Sequence, residues 1–203
     1  MKKVAFLVNE HKDWYSLPNI CNIIHSELND CVDIIPVSDG GDGLKDALLS
    51  FTKFEEFKFK TVNCEGFPCE VSIVFHVAEG KRIGYFETAT ILGRYNSDEI
   101  NSYKFNSKGL SEVFIQSNFL KLDKLIIGLG GSKTSDAGLG LIISLGWGVY
   151  LDNGSKLSTN CEIGFHTLTE ISRIEKTNFN FRYEIEVWSD TDVLLYGKNG
   201  QAQ

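Results

Sequence analysis

Two runs of small and polar residues hold most of the chemistry this chain can offer. Pro36-Val37-Ser38-Asp39-Gly40-Gly41-Asp42-Gly43 and Gly128-Leu129-Gly130-Gly131-Ser132-Lys133-Thr134-Ser135-Asp136 each lie where an apolar run ends and a helical pattern begins. In α/β proteins that is where backbone N–H groups and a helix dipole hold an anion. The first run reads as a phosphate or carboxylate cradle at Gly40 and Gly41, with Asp39 and Asp42 able to hold a cation. It reads equally as a tight turn with a helix cap, since Asp and Gly are ordinary capping residues. The second run fits neither common nucleotide template. G-x-G-x-x-G from Gly128 needs glycine where Lys133 stands, and G-x-x-x-x-G-K-[ST] puts Lys133 at a glycine and Thr134 at the lysine. What remains, Ser132, Lys133, Thr134, Ser135 and Asp136, is a set of donors with one carboxylate that suits a phosphate-plus-metal site. Asp190 and Asp192 follow the last apolar run, where a carboxylate faces either a ligand crevice or bulk water. Lys12 holds the matching place after the first run, and Glu87 is either a buried acid or an edge residue.

The elements that must position these groups alternate at first between strand and helix. Val4–Val8 is a continuous apolar run and is predicted as a buried strand. Pro18 opens a stretch whose Ile20, Ile23, Ile24 and Leu28 recur at helical spacing. Val32–Val37 supplies a second strand and Leu44–Phe51 a second helix, an order that favours a parallel α/β layer. Near residue 60 the pattern turns to alternation, at Phe57, Phe59 and Thr61, then Val71 to Val77, then Ile83 to Glu87, which predicts antiparallel strands. Leu110–Leu120 is predicted helical, Lys124–Gly128 a buried strand and Ala137–Leu145 a buried helix. Asn153-Gly154 predicts a hairpin between Val149–Leu151 and Ser155–Leu157, and Glu184–Trp188 is a last strand.

Composition removes several classes of partner. The 203 residues carry 20 Lys and Arg against 27 Asp and Glu, a net charge of -7, with no basic excess for nucleic acid or an anionic membrane. No apolar run approaches the ~20 residues that span a bilayer, and the run after Lys2 and Lys3 stops too soon for a signal peptide. The five cysteines include no C-x-x-C and predict neither a disulfide framework nor a zinc site, but reduced thiols in the cytoplasm. The four histidines are scattered and receive no metal role.

The motifs resemble those of the type I glycerate kinases, which phosphorylate D-glycerate from ATP. Pro36 to Gly43 is similar to that family's P-M-A-D-G-G-E-G, and Gly128 to Gly140 resembles G-I-G-G-S-A-T-N-D-G-G-A-G, continued by Ser144-Leu145-Gly146. Fainter likenesses follow in the family's order at Phe86-Glu87-Thr88-Ala89, at Lys108-Gly109-Leu110-Ser111-Glu112, and at Ser189-Asp190 with Gly197, Asn199 and Gly200. Ser135 and Ala137 depart from the family's Asn and Gly, Val193-Leu194 from its Asn-Pro, and Asp13-Trp14-Tyr15 interrupts its lysine loop after Lys12. The family's members also continue for nearly as long again, so the chain is expected to be either a fragment or a descendant that has lost turnover.

The resemblance implies an α/β fold with an incomplete flavodoxin-like parallel layer in residues 1–60 and a second mixed α/β domain in residues 61–203. It implies transfer of the ATP γ-phosphoryl group to a hydroxyl of D-glycerate, giving 2-phosphoglycerate. Gly40, Gly41, Gly130, Gly131, Ser132 and Thr134 would bind phosphate oxygens, and Asp136 or Asp190 would hold Mg²⁺. Asp39 would orient the substrate or a metal, and Lys12 would offset anionic charge. The alternative is a truncated, noncatalytic module that keeps an anion or nucleotide site. Apolar faces left uncovered in the first layer are expected to favour a homodimer.

Overall fold

The computed structural model describes residues 4–9, 15–28, 32–93 and 104–189. The first layer is small. Strands β1 (Val4–Val8) and β2 (Val32–Pro36) pair in parallel, from Val4 opposite Val32 to Val8 opposite Pro36. Helices α1 (Leu17–Leu28), with Pro18 in its first turn, and α2 (Leu44–Leu49) supply the apolar cover. Val8, Leu17 and Ala47 are buried there, with Ile20, Cys21, Ile24 and Ile34 packed around them. Side chains alternate across a strand, so the directly paired Leu7 and Ile35 point away from this cluster. They are 71% and 40% exposed.

The second layer is a five-stranded sheet in the order β3-β4-β5-β6-β9. Its antiparallel part is β3 (Glu55–Val62), β4 (Pro68–Ala78) and β5 (Lys81–Glu87), turned at Gly66 and Gly80, whose φ values of 90° and 76° suit glycine. Its parallel part joins β5 to β6 (Lys124–Leu129) and β6 to β9 (Glu184–Ser189). The short helix α3 (Ala89–Leu92) follows β5, and α4 (Leu110–Phe119) leads back to β6. One sheet face buries Phe59, Ile73, Phe86, Leu125 and Ile127 against Val113 and Phe114 of α4. Each such side chain contributes on the order of 1.5–3 kcal/mol by leaving water.

A smaller cluster of Leu139, Ile143, Val149, Leu157 and Ile163 joins α5 (Leu139–Ser144) to the two-stranded sheet of β7 (Gly148–Leu151) and β8 (Ile171–Glu175). A 3-10 helix over Phe165–Glu170 precedes β8.

The α/β class expected from the sequence is the one observed, with parallel pairing in both main layers. Three boundaries differ. Residue 60 lies inside β3, which pairs with β4 along its length, so the second sheet begins at Glu55. The helix expected from Ala137 starts at Leu139, because Ala137 and Gly138 have φ of 51° and 77°. The turn at Asn153-Gly154 forms, with Leu151 N–H bonded to Ser155 O at 2.9 Å, but β7 takes β8 as its ladder partner. Beyond the turn only an isolated bridge joins Tyr150 and Lys156.

Candidate functional site

Register brings the carboxyl ends of three parallel strands to one line: Glu87 of β5 pairs with Gly128 of β6, and Gly128 with Trp188 of β9. The loops that leave these ends lie side by side, where an open parallel sheet usually has its ligand crevice. Thr88 ties two of the ends together, its N–H and its hydroxyl each donating to Gly128 O at 3.0 Å.

The first glycine run, from the other layer, docks onto this line. A Cβ on Gly128 would stand 1.8 Å from Gly40 O, and one on Gly130 would stand 3.0 Å from Gly41 Cα. Glycine is therefore required where the two runs touch main chain to main chain. Gly40 has φ of 97°, and Trp188 Cβ lies 3.7 Å from where a Gly40 Cβ would be. On the second run, Gly131 has φ of 59° and faces the Asp42 carboxylate, whose oxygens are 3.5 and 3.6 Å from its Cβ position.

Each run is shaped by its own side chains. Ser38 Oγ accepts from Gly40 N–H at 3.1 Å and Asp39 Oδ1 from Gly41 N–H at 2.9 Å. These two amides, expected to meet an anion, are thus engaged within the loop, while Asp39 itself is exposed. In the second run the Ser132 and Thr134 hydroxyls lie 3.1 Å apart, and Thr134 N–H donates to Ser132 Oγ at 3.3 Å. Lys133 N–H donates to Leu92 O at 2.7 Å and anchors the middle of the run.

Asp136 differs from the expectation of a metal-binding carboxylate. It is 1% exposed. Its Oδ2 accepts from Ser107 N–H and Ser107 Oγ–H, both at 2.8 Å, and from Gly140 N–H at 2.9 Å. Its Oδ1 accepts from Gly138 N–H at 3.2 Å. The carboxylate is spent on capping α5 and on tying the segment before α4 to it, and Ser107 Oγ accepts in turn from Leu141 N–H at 3.1 Å. The structure therefore brings Gly40 and Gly41 against Gly128 and Gly130, sets Gly131 beside Asp42, leaves Ser132 and Thr134 further along the second run and Asp39 exposed, and withdraws Asp136 into the interior. Lys12 and Asp190 lie outside the described residues.

Sequence reasoning missed Ser107 and left Glu87 open between two readings. Ser107 stands next to a Lys-Gly pair and carries no local signal. Glu87 ends a strand of alternating pattern, and an acid on such a strand's inner face was the available clue. It is buried, and its Oε2 accepts from Lys45 N–H in the first turn of α2 at 3.1 Å. Burial pushes its carboxyl up to about 7, helped by Asp42 and Asp46 and opposed by the hydrogen bond and charge of Lys45.

Among the described residues no three acidic, thiol or imidazole groups converge to hold a metal ion. The donors around the crevice are carboxylate, hydroxyl and main-chain oxygens. That is a hard set suited to Mg²⁺, which is commonly held by one or two carboxylates together with substrate phosphates. An apolar groove of about 440 Å³ between α1, β2 and α2 lies in the first layer, lined by residues such as Leu17, Ile34 and Phe51 rather than by either glycine run. The described cysteines are free thiols, and among the described residues no helix is long and apolar enough to cross a membrane.

Glycine runs from two layers that meet at the carboxyl ends of parallel strands are an arrangement found in many phosphate-binding α/β proteins. A sequence profile of the glycerate kinase family matches residues 6–203, and the chain belongs to that family. Glycerate kinase of Bacillus subtilis is 30% identical over 172 residues, which are 82% of this chain and 43% of that protein. Glycerate 2-kinase of Escherichia coli is 26% identical over 176 residues, 83% of this chain and 44% of that protein. The chain spans less than half the length of these relatives. The crystal structure of a protein assigned as glycerate kinase 2 from Salmonella typhimurium LT2 superposes with a TM-score of 0.75 at 22% identity, over 98% of this chain and 54% of that one.

Proposed function

We propose that this chain takes part in ATP-dependent phosphorylation of D-glycerate in the cytoplasm, with 2-phosphoglycerate as product. The observation that carries the reading is the main-chain contact of Gly40–Gly41 with Gly128–Gly130, which puts the two glycine runs together at the strand ends. The kinase names of the relatives and the product-specific name of the Escherichia coli protein support the reaction type. Phosphoryl transfer asks mainly for positioning and charge neutralisation. Gly130, Gly131, Ser132 and Thr134 would position phosphate oxygens through amides and hydroxyls. Asp39 would orient the acceptor, and Lys12 would offset its carboxylate. Mg²⁺, when bound at Asp39 or Asp190 beside the phosphates, would neutralise developing charge. Asp136 keeps the second run in shape from behind.

A second reading is a truncated, noncatalytic anion- or nucleotide-binding module, favoured by the internal engagement of the Asp136 carboxylate. A coupled ADP-release assay with D-glycerate, followed by ³¹P NMR of the product, separates the two. Saturable glycerate-dependent turnover to 2-phosphoglycerate supports the kinase. Nucleotide or phosphate binding in calorimetry with no turnover supports the module.

A further inference from the structure

We infer that Glu87 is a positioning residue whose carboxyl group, by holding the first turn of α2, sets the Gly40–Gly43 loop against the Gly128–Gly131 run. The proposal rests on the crevice being the phosphate-handling site proposed above. Glu87 is the last residue of β5, in the same row as Gly128, and it reaches across to the other layer to accept from Lys45 N–H. Lys45 stands two residues after Gly43, whose φ of 85° starts α2, so the bond fixes the exit of the first run. The entrance of that run is fixed by Val37 N–H bonding Val8 O at 2.8 Å, and its crest by the Gly40 contact with Gly128. Glu87 thus ties α2 to the second sheet by a hydrogen bond, beside the packing of Leu44 of α2 near Gly128.

The charges around it set which form of the carboxyl group the packed state prefers. From α2 and the loop before it, Lys45 draws the carboxylate while Asp42 and Asp46 repel it, and burial disfavours its charged form, which places its titration at about 7. From β3 and β4, Glu56, Lys58 and Glu70 surround a cleft of about 100 Å³ that Lys45 and Thr90 also line. On the other side β6 presents Gly128, which does not titrate.

The test is NMR of the whole chain from pH 5.5 to 8.5, following the Glu87 side-chain carboxyl carbon and the Lys45 amide proton in wild type and in Glu87→Gln. Both nuclei are expected to titrate together with a midpoint near 7 in wild type, and the Lys45 signal is expected to be flat in Glu87→Gln, which keeps a neutral acceptor. A carboxyl midpoint near the ordinary value, or a Lys45 signal that titrates equally in both proteins, overturns the proposal; if Glu87→Gln does not fold, the wild-type pair of titrations decides alone. In the kinase assay at constant pH, KM for ATP is expected to rise about fivefold in Glu87→Ala, which offers Lys45 N–H no acceptor, and to stay near the wild-type value in Glu87→Gln, with kcat little changed. A Glu87→Ala KM equal to that of wild type overturns the link to the crevice. Absence of turnover in both proteins counts against the kinase reading, while the NMR titrations still decide the role of Glu87.

Discussion

Asp136→Asn separates a structural carboxylate from a catalytic one. The wild-type group is buried and accepts hydrogen bonds from Ser107 N–H, Ser107 Oγ–H, Gly140 N–H and Gly138 N–H. Asparagine offers one oxygen. If that oxygen takes the three donors at Oδ2, its NH₂ group faces Gly138 N–H, and one hydrogen bond of about 1 kcal/mol becomes a clash of donors. The remaining bonds lose their charge assistance, roughly 1 kcal/mol each. The sum is about 4 kcal/mol, a large part of the ~5–15 kcal/mol available to a domain. Urea unfolding followed by circular dichroism is expected to show a midpoint lowered accordingly with an unchanged slope. Ser107→Ala, which removes one bond to Asp136 and one from Leu141 N–H, is expected to cost about 2 kcal/mol. The double mutant should cost less than the sum, because the two side chains share a bond. A folded Asp136→Asn protein within about 1 kcal/mol of wild type that has lost turnover would refute this reasoning and return Asp136 to the metal or the substrate.

Gly128→Ala is expected to cost at least about 2–3 kcal/mol and to weaken nucleotide binding, since its Cβ would overlap Gly40 O at 1.8 Å; a mutant with native stability and native affinity in calorimetry would show that the two glycine runs need not touch. Gly138→Ala meets nothing within 4 Å and pays only for its φ of 77°, about 1 kcal/mol by the same melts. For Glu87, the folded carboxyl is raised from its ordinary 4.5 to about 7, so its stabilising preference for the proton is complete below about pH 4.5 and lost as pH rises through 7. Glu87→Gln is therefore expected to be more stable than wild type by about 3 kcal/mol at pH 8 and equal to it at pH 4.5; parallel stability curves across that range would contradict the buried titration. The paired and exposed Leu7 and Ile35 are expected to drive concentration-dependent self-association, seen in sedimentation velocity and relieved by Leu7→Ser; a monomer at every concentration would rule out this face as the cause.

Much of the local structure is determined by neighbours in the chain. Alternation in β3 and β4, the helical spacing of α1, and turns at Gly66, Gly80 and Gly154 depend on side-chain periodicity and on positive φ, and both are visible in a linear string. The two glycine runs were legible for the same reason, because small residues between an apolar run and a helical pattern mark a strand-to-helix turn. What the string did not decide is which distant groups meet. Ser107 is 29 residues from Asp136 and Lys45 is 42 from Glu87, and each pair forms only after strands and helices have packed. β8 became the ladder partner of β7 although the Asn153-Gly154 turn forms, with Ile171 of β8 packed on the cluster that buries Val149. The surroundings of Asp136 turned on the same physics: a carboxylate in sequence is an acceptor available to any donor, and only the fold, by surrounding it with N–H and O–H groups and shutting out water, determined which donors it meets.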